Sequence, residues 1–234
     1  MLAFAVLGLA LVARDPLSDF NAGVAAEAKG DGATAIVLLD RAQQTLPAWA
    51  LPKLELAEVL LKEGGAPDRA LGLLDAAALL EPQNPRLSHL RGLAWMEKGN
   101  AAGAEAAERT ALTLRPEFPE AEGTLAQALW DQHKSDEALA HWHLLVEKQP
   151  LDTARRALFV DRLLDSGRSV DAEKELRLLA AEQPRNPVWH RRLARALAAE
   201  GLAAEAQAEQ TRAAVLAGLA PPRRKLRRLP DSRR

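Results

Sequence analysis

Prolines recur in this sequence at an almost constant interval of 34 or 35 residues. They are Pro47, Pro82, Pro116, Pro150 and Pro184. An alanine lies twelve residues before each of them, at Ala35, Ala70, Ala104, Ala138 and Ala172. Glycines return with the same period at Gly30, Gly64, Gly99, Gly167 and Gly201, with His133 at the remaining position. So many matches at one period predict a repeated structural unit.

Each interval has room for two helices. About 14 residues lie on each side of the glycine, and both stretches carry apolar residues at helical spacing. The glycine favours the left-handed conformation that ends a first helix, and the proline stops a second helix. Alanine and leucine dominate the composition, Ile36 is the one isoleucine and tyrosine is absent. This composition favours helix and disfavours β-sheet.

The period divides the chain into three regions. An apolar segment covers residues 1–15, and a basic tail covers residues 219–234. Between them, the pattern predicts six helix pairs over residues 16–218. Their approximate ranges are 16–49, 50–84, 85–118, 119–152, 153–186 and 187–218.

This period, with its small residues and prolines, resembles the tetratricopeptide repeat (TPR). The resemblance covers nearly the whole chain and implies an all-α fold, a right-handed solenoid of antiparallel helix pairs. Glu108 and Gln210 depart from the family pattern at a second-helix position that is usually large and apolar. The first-helix position where the family has tryptophan is also different, and holds Asp19, Lys53, Ser88, Glu122, Arg156 and His190.

The resemblance also implies a binding surface, because the first helices of such arrays line a concave face that binds a peptide or a partner protein. The groove-facing positions would be Leu54, Glu58, His89, Leu93, Met96, Gln127, Trp130, Asp131, Asp161, Asp165, Arg191 and Arg195. One subclass of the family holds a carboxyl-terminal peptide through lysine and asparagine. Phe20, Val24, Leu54 and Glu58 stand at those places here, so a chaperone-tail receptor of that type is not expected.

Trp130 has two open interpretations. Tryptophan is enriched at the energetic centres of interfaces, which favours an anchor for a partner. The alternative is ordinary packing against the neighbouring first helix. Trp95 and Trp142 stand at positions that are expected in the core.

No catalytic or metal-binding motif is present in the sequence. The chain has no cysteine, which excludes disulfides, thiolate metal sites and a cysteine nucleophile. His141 and His143 are two residues apart, which places them on different sides of a helix. Phosphate-loop, dinucleotide and nucleophile-elbow motifs are also missing. We therefore expect a protein that is not an enzyme and needs no cofactor, metal or small-molecule substrate.

The first thirteen residues are apolar and uncharged. As a helix they would span about 20 Å, which is less than the roughly 30 Å core of a bilayer. Three interpretations stay open: a helix that caps the first repeat, a membrane anchor or signal segment, or a segment inserted into a partner complex. The first and last of these need no membrane.

The end of the chain is strongly basic. Residues 223–234 carry seven arginines or lysines against one aspartate, and the cluster begins with Arg223, Arg224, Lys225, Arg227 and Arg228. The tail could simply keep the protein soluble, or it could contact anionic lipid, an acidic protein or nucleic acid. Specific binding to nucleic acid is not expected, because no aromatic residues are interleaved with these charges.

Together these features predict a protein–protein interaction scaffold that binds its partner through the concave face. Its expected setting is a bacterial membrane-associated assembly, on a side of the membrane that the sequence leaves open. The alternatives are a structural subunit buried permanently in a complex, a non-catalytic assembly or maturation factor at a membrane, and a soluble cytoplasmic protein.

Overall fold

Twelve α-helices make up the computed structural model, which describes residues 15–219 and contains no strand within them. Their bounds are α1 Pro16–Ala28, α2 Gly32–Thr45, α3 Ala50–Glu63, α4 Pro67–Ala78, α5 Pro85–Glu97, α6 Ala101–Leu114, α7 Pro119–Asp131, α8 Ser135–Lys148, α9 Thr153–Asp165, α10 Ser169–Glu182, α11 Pro187–Ala199 and α12 Ala203–Leu216. The apolar segment 1–13 and the basic cluster of the tail lie outside the described residues.

The helices follow one another in pairs, and each of the six predicted repeats contains one pair. The predicted fold class, an all-α solenoid of helix pairs, is confirmed. The described chain divides into two compact units, residues 15–141 (unit 1) and residues 142–219 (unit 2), with the division inside α8. In unit 1 the first helices also contact one another, α1 against α3, α3 against α5 and α5 against α7. Side chains on these four helices therefore form one continuous surface of unit 1.

The ends of the helices follow the capping chemistry in the sequence. Asn84 and Asn186 each accept a hydrogen bond from the backbone N–H two residues later, and a proline occupies the first position of α5 and α11. The repeating glycines after the first helices all have positive φ, and His133 takes the same conformation with φ of 61°. A histidine is strained there, because its Cβ crowds the backbone in the left-handed region.

Replacing His133 by glycine should therefore stabilise the protein. We expect the free energy of unfolding to rise by about 1 kcal/mol. The left-handed conformation costs an ordinary residue about 1–2 kcal/mol, and part of this is offset because glycine makes the unfolded chain more flexible. Urea unfolding of the two proteins measures the difference. The reverse change, Gly167→His at φ of 76°, is the matched control and should destabilise. A His133→Gly variant with a lower free energy of unfolding than wild type would contradict the strain at His133.

The first-helix position that departs from the family pattern is buried in all six repeats, with exposures of 2–8% for Asp19, Lys53, Ser88, Glu122, Arg156 and His190. Three of these residues share a backbone contact. Lys53, Arg156 and His190 each lie within hydrogen-bond distance of the carbonyl oxygen of the proline six residues earlier, at 2.6, 2.8 and 3.1 Å. These side chains thus tie a first helix to the proline that ends the preceding repeat.

The same position also pairs with the second helix of its own repeat. Close side-chain contacts join residues 19 positions apart in three repeats: Glu122 with His141 at 2.7 Å, Arg156 with Glu175 at 3.4 Å and His190 with Glu209 at 2.6 Å. Polar pairs therefore stand where the family pattern has an aromatic side chain. Removing one partner of such a pair would leave a buried polar group without that contact.

Glu108, the other departure from the family pattern, is completely buried between α5 and α6. His89 Nδ1 lies 3.0 and 3.1 Å from its two carboxyl oxygens. Burial raises the pKa of Glu108 to about 7, although the hydrogen bond and charge of His89 act in the opposite direction. Gly92 makes room for this carboxyl group, because a Cβ at that position would lie 2.2 Å from Glu108 Oε1.

Candidate partner-binding surfaces

An ion-pair network crosses the first helices of unit 1. Arg86 on α5 makes a bidentate pair with Glu55 on α3, at 2.7 and 2.9 Å, and it also pairs with Glu58. Lys62 joins Glu58 at 2.8 Å to Glu27 of α1 at 2.6 Å. Burial acts to raise the pKa of Glu58, but the hydrogen bonds from Arg86 and Lys62 outweigh it and hold that pKa below its usual value. The network links α1, α3 and α5 across unit 1.

Partly buried apolar side chains lie on the same series of helices. Leu93 and Met96 on α5 and Trp130 on α7 each leave some surface accessible, and Leu93 packs against the core of unit 1. Gln127 donates a hydrogen bond to Asp131 Oδ1 at 2.6 Å. Trp130 is therefore neither fully exposed nor fully buried, which leaves it able to contribute to both the packing and a partner contact.

Two of the groove positions inferred from the sequence make most of their contacts inside unit 1. Leu54 is only 1% exposed, because α3 packs against α1, α2, α4 and α5 and its side chain joins the core between them. His89 is directed at Glu108 and packs against Phe118 in a tilted arrangement, with ring centroids 4.9 Å apart. Leu54 is thus a core residue, and His89 is engaged with Glu108 and Phe118 within unit 1.

In unit 2 the sequence-predicted acidic and basic residues differ in their contacts. Asp161 pairs with Arg192 at 3.1 Å, which links α9 to α11. Asp165 lies 3.8 Å from Arg162 on its own helix. Arg191 and Arg195 are exposed and make no hydrogen bond or ion pair within residues 15–219. The charges of these two arginines are therefore not compensated by any described residue.

Arg191 and Arg195 also line an open cleft of about 570 Å³ between α11 and α12. Alanines form much of its lining, and its other polar side chains are Arg192, Gln207 and Gln210. Sequence reasoning found the two arginines but missed both the cleft and the network around Arg86. The cleft could have been suspected from Gln210, which is a polar residue at a position that is apolar in most repeats.

The family pattern is now supported by an independent match. Residues 54–120 match a family model described as Tetratricopeptide repeat, and the twelve helices correspond to about six such repeats. Residues 54–120 therefore carry tetratricopeptide repeats, and the other described helix pairs continue the same fold. TPR arrays are in general non-catalytic modules that bind protein or peptide partners.

Solved structures of several other proteins share this fold. The structure of YrrB, a TPR protein with an unusual peptide-binding site, is 19% identical with a TM-score of 0.64, and the match covers 76% of this chain and 91% of that one. For pilF of Pseudomonas aeruginosa the identity is 18% and the TM-score 0.67, with 88% and 93% of the two chains covered. A TPR protein of Parabacteroides merdae is 19% identical with a TM-score of 0.64 and covers 87% of this chain and 84% of its own. At these identities the likeness shows the fold alone.

No curated protein matches the sequence significantly. Within residues 15–219, no helix combines the length and the apolar character that a membrane crossing requires. The same residues contain no group of three histidine or acidic side chains placed to hold a metal ion.

Proposed function

We propose that this TPR protein is a non-catalytic scaffold whose first helices bind a segment of a partner protein. The observation that carries the proposal is the surface of unit 1, where Leu93, Met96 and Trp130 remain partly accessible beside the network around Arg86. Ion pairs across the helices hold this surface in place before a partner arrives, which lowers the entropy cost of binding.

The chemistry of the partner follows from these side chains. Partly accessible leucine, methionine and tryptophan favour apolar side chains at the centre of the contact. The carboxylates of Glu55 and Glu58 are already paired with Arg86. At the rim of the contact, such charges are expected to contribute to the choice of partner more than to the strength of binding. The unusual peptide-binding site of YrrB, a TPR protein of the same fold, supports a peptide segment as the bound form.

We further propose that the scaffold works in a membrane-associated assembly. The apolar residues 1–13 and the seven basic residues of 223–234 support this setting, because an apolar segment and a polybasic cluster together provide two membrane signals. In this setting the folded repeats would bind the partner while the two ends of the chain contact the membrane.

Affinity purification of the tagged full-length chain tests the proposal, with membrane and soluble fractions of its native cells treated separately. A specific protein should co-purify with wild type. Trp130→Ala should weaken its binding by about 2 kcal/mol, roughly thirtyfold, while the melting midpoint changes little. Leu79→Ala is the matched control, because this side chain is 87% exposed and follows a second helix, α4. Equal recovery with all three proteins would contradict binding through the first helices.

A fourth protein, lacking residues 223–234, tests the membrane setting in the same experiment. We expect the partner to bind this protein as well as wild type, while recovery from the membrane fraction falls and loses its sensitivity to salt, because the removed charges act electrostatically. Unchanged recovery from the membrane fraction would remove the tail from the proposal.

A further inference from the structure

The cleft between α11 and α12 occupies the position where the next helix lies in the earlier repeats. Gln210 is the counterpart of Leu74 in α4 and of Leu176 in α10, both of which are fully buried. In those repeats the following first helix packs on the second helix, α5 on α4 and α11 on α10. Gln210 is exposed instead, and no helix within residues 15–219 follows α12. The cleft is thus a helix-stacking surface that the described residues leave open.

The shape of the cleft suits a helix with large apolar side chains. Ala198 on α11 and Ala203 on α12 are exposed in its lining, and Ala206 and Ala194 are buried beneath them. Met96 and Trp130 stand at the positions of α5 and α7 that correspond to Ala198. Small side chains here leave a volume of about 570 Å³ that apolar side chains from another helix can fill.

The charge of the cleft favours a partner helix that carries carboxylates. Arg191 and Arg195 are one turn apart on α11, so their guanidinium groups can meet carboxylates spaced three or four residues apart on a facing helix. Arg192, the third arginine, is compensated by Asp161, but no carboxylate is among the described residues that line the cleft. The basic tail of this chain has the wrong charge for this surface, because it would place cations against cations.

We propose that this cleft binds an acidic amphipathic helix of a partner protein, stacked on α11 and α12 as an additional first helix. Apolar side chains of that helix cover the alanines, and its carboxylates pair with Arg191 and Arg195. The inference rests on the proposed function and adds a second docking surface, in unit 2, with a partner of defined chemistry.

Two designed peptides test the cleft by fluorescence anisotropy with the full-length protein. Both are capped 18-residue helices with leucine along one face, and they differ only in carrying glutamate or lysine beside that face. Wild type should bind the glutamate peptide at least about tenfold more tightly. The double variant Arg191→Glu/Arg195→Glu should reverse this preference. Both arginines are exposed, so circular dichroism should show an unchanged fold.

Three controls make the result specific to the cleft. Arg185→Glu/Arg212→Glu changes the same charge at exposed positions outside the cleft and should keep the wild-type preference. Ala198→Trp fills the cleft and should abolish binding of the glutamate peptide. A peptide of residues 219–234 should bind no better than the lysine peptide, and sedimentation should show no self-association that depends on Arg191 and Arg195.

The proposal is overturned if the glutamate peptide does not bind, if the two peptides bind equally, or if the tail peptide or a second copy of the chain occupies the cleft. These failures can be told apart from failure of the proposed function. If the peptides do not discriminate but Trp130→Ala still loses the co-purifying protein, the scaffold function stands and the cleft is not a docking surface. If Trp130→Ala and the arginine variant both leave partner binding unchanged, the proposed function fails as well.

Discussion

Replacing Gly92 by alanine is expected to destabilise the protein by about 3 kcal/mol, at the upper end of what overpacking a core costs. The added Cβ would lie 2.2 Å from Glu108 Oε1 and 2.7 Å from its Cδ. Glu108 is fully buried and bonded to His89, so its carboxyl group has no free space to move into. Relieving the clash requires α5 and α6 to separate or the hydrogen bond to His89 to break.

Two other glycines provide matched controls for this prediction. Gly72 lies inside α4 with nothing within 4 Å of an added Cβ, so Gly72→Ala should stabilise by about 0.5–1 kcal/mol through helix propensity. At Gly32 the Cβ would meet Glu63 Oε1 at 2.0 Å, but Glu63 is exposed and can rotate away. Gly32→Ala should therefore have little effect.

Urea unfolding of the three variants measures this ranking. The expected order of stability is Gly72→Ala above Gly32→Ala, with Gly92→Ala far below both. Similar stabilities for Gly92→Ala and Gly72→Ala would mean that Glu108 is not held between α5 and α6.

The stability of the protein is also expected to fall as the pH rises from about 4.5 to 7, through the titration of Glu108. Burial raises the pKa of this carboxyl group from 4.5 to about 7 in the folded protein, and His89 opposes that rise. The folded state therefore binds the proton more tightly than the unfolded state in this range. The stabilisation by the bound proton is complete below pH 4.5 and is lost as the pH rises through 7. The loss in free energy of unfolding is about 3 kcal/mol.

Thermal and urea unfolding of wild type and Glu108→Gln between pH 4.5 and 8 isolate this effect. Glutamine keeps the size and the polar group near His89 but cannot ionise. Relative to wild type, the free energy of unfolding of the variant should therefore rise by up to about 3 kcal/mol between pH 4.5 and pH 8. The pKa of Glu105, which the hydrogen bond from Lys134 lowers to about 2, changes stability only in more acidic solution and equally in both proteins. Parallel pH profiles would show that Glu108 does not titrate in this range.

The sequence predicted the helix pairs well because their ends depend on local chemistry. A glycine at positive φ, as at Gly167, or an asparagine cap followed by proline, as at Asn84, acts within a few residues. His133 stands at the repeating glycine position in the sequence, and it adopts the same left-handed conformation as the glycines. Such features repeat with the period, so each repeat reinforces the prediction for the others.

The orientation of single side chains was harder to predict, because it depends on helices that are distant in the sequence. Leu54 and Glu58 are one turn apart on α3, yet Leu54 is buried in the core and Glu58 pairs with Arg86, 28 residues later. His190 likewise finds Glu209 only once α12 has packed against α11. Periodicity locates these positions on a helix but does not reveal their partners.

Hydroxyl-radical footprinting of the purified complex tests the scaffold function most directly, because methionine and tryptophan side chains report solvent access through their oxidation. The sequence offers Met96 and Trp130 as probes on the first helices of unit 1, and the exposed Leu79 after α4 as a reference. Binding of the co-purified partner should protect Met96 and Trp130 and leave Leu79 unchanged. Unchanged oxidation of Met96 and Trp130, with protection at Leu79, would contradict binding through the first helices.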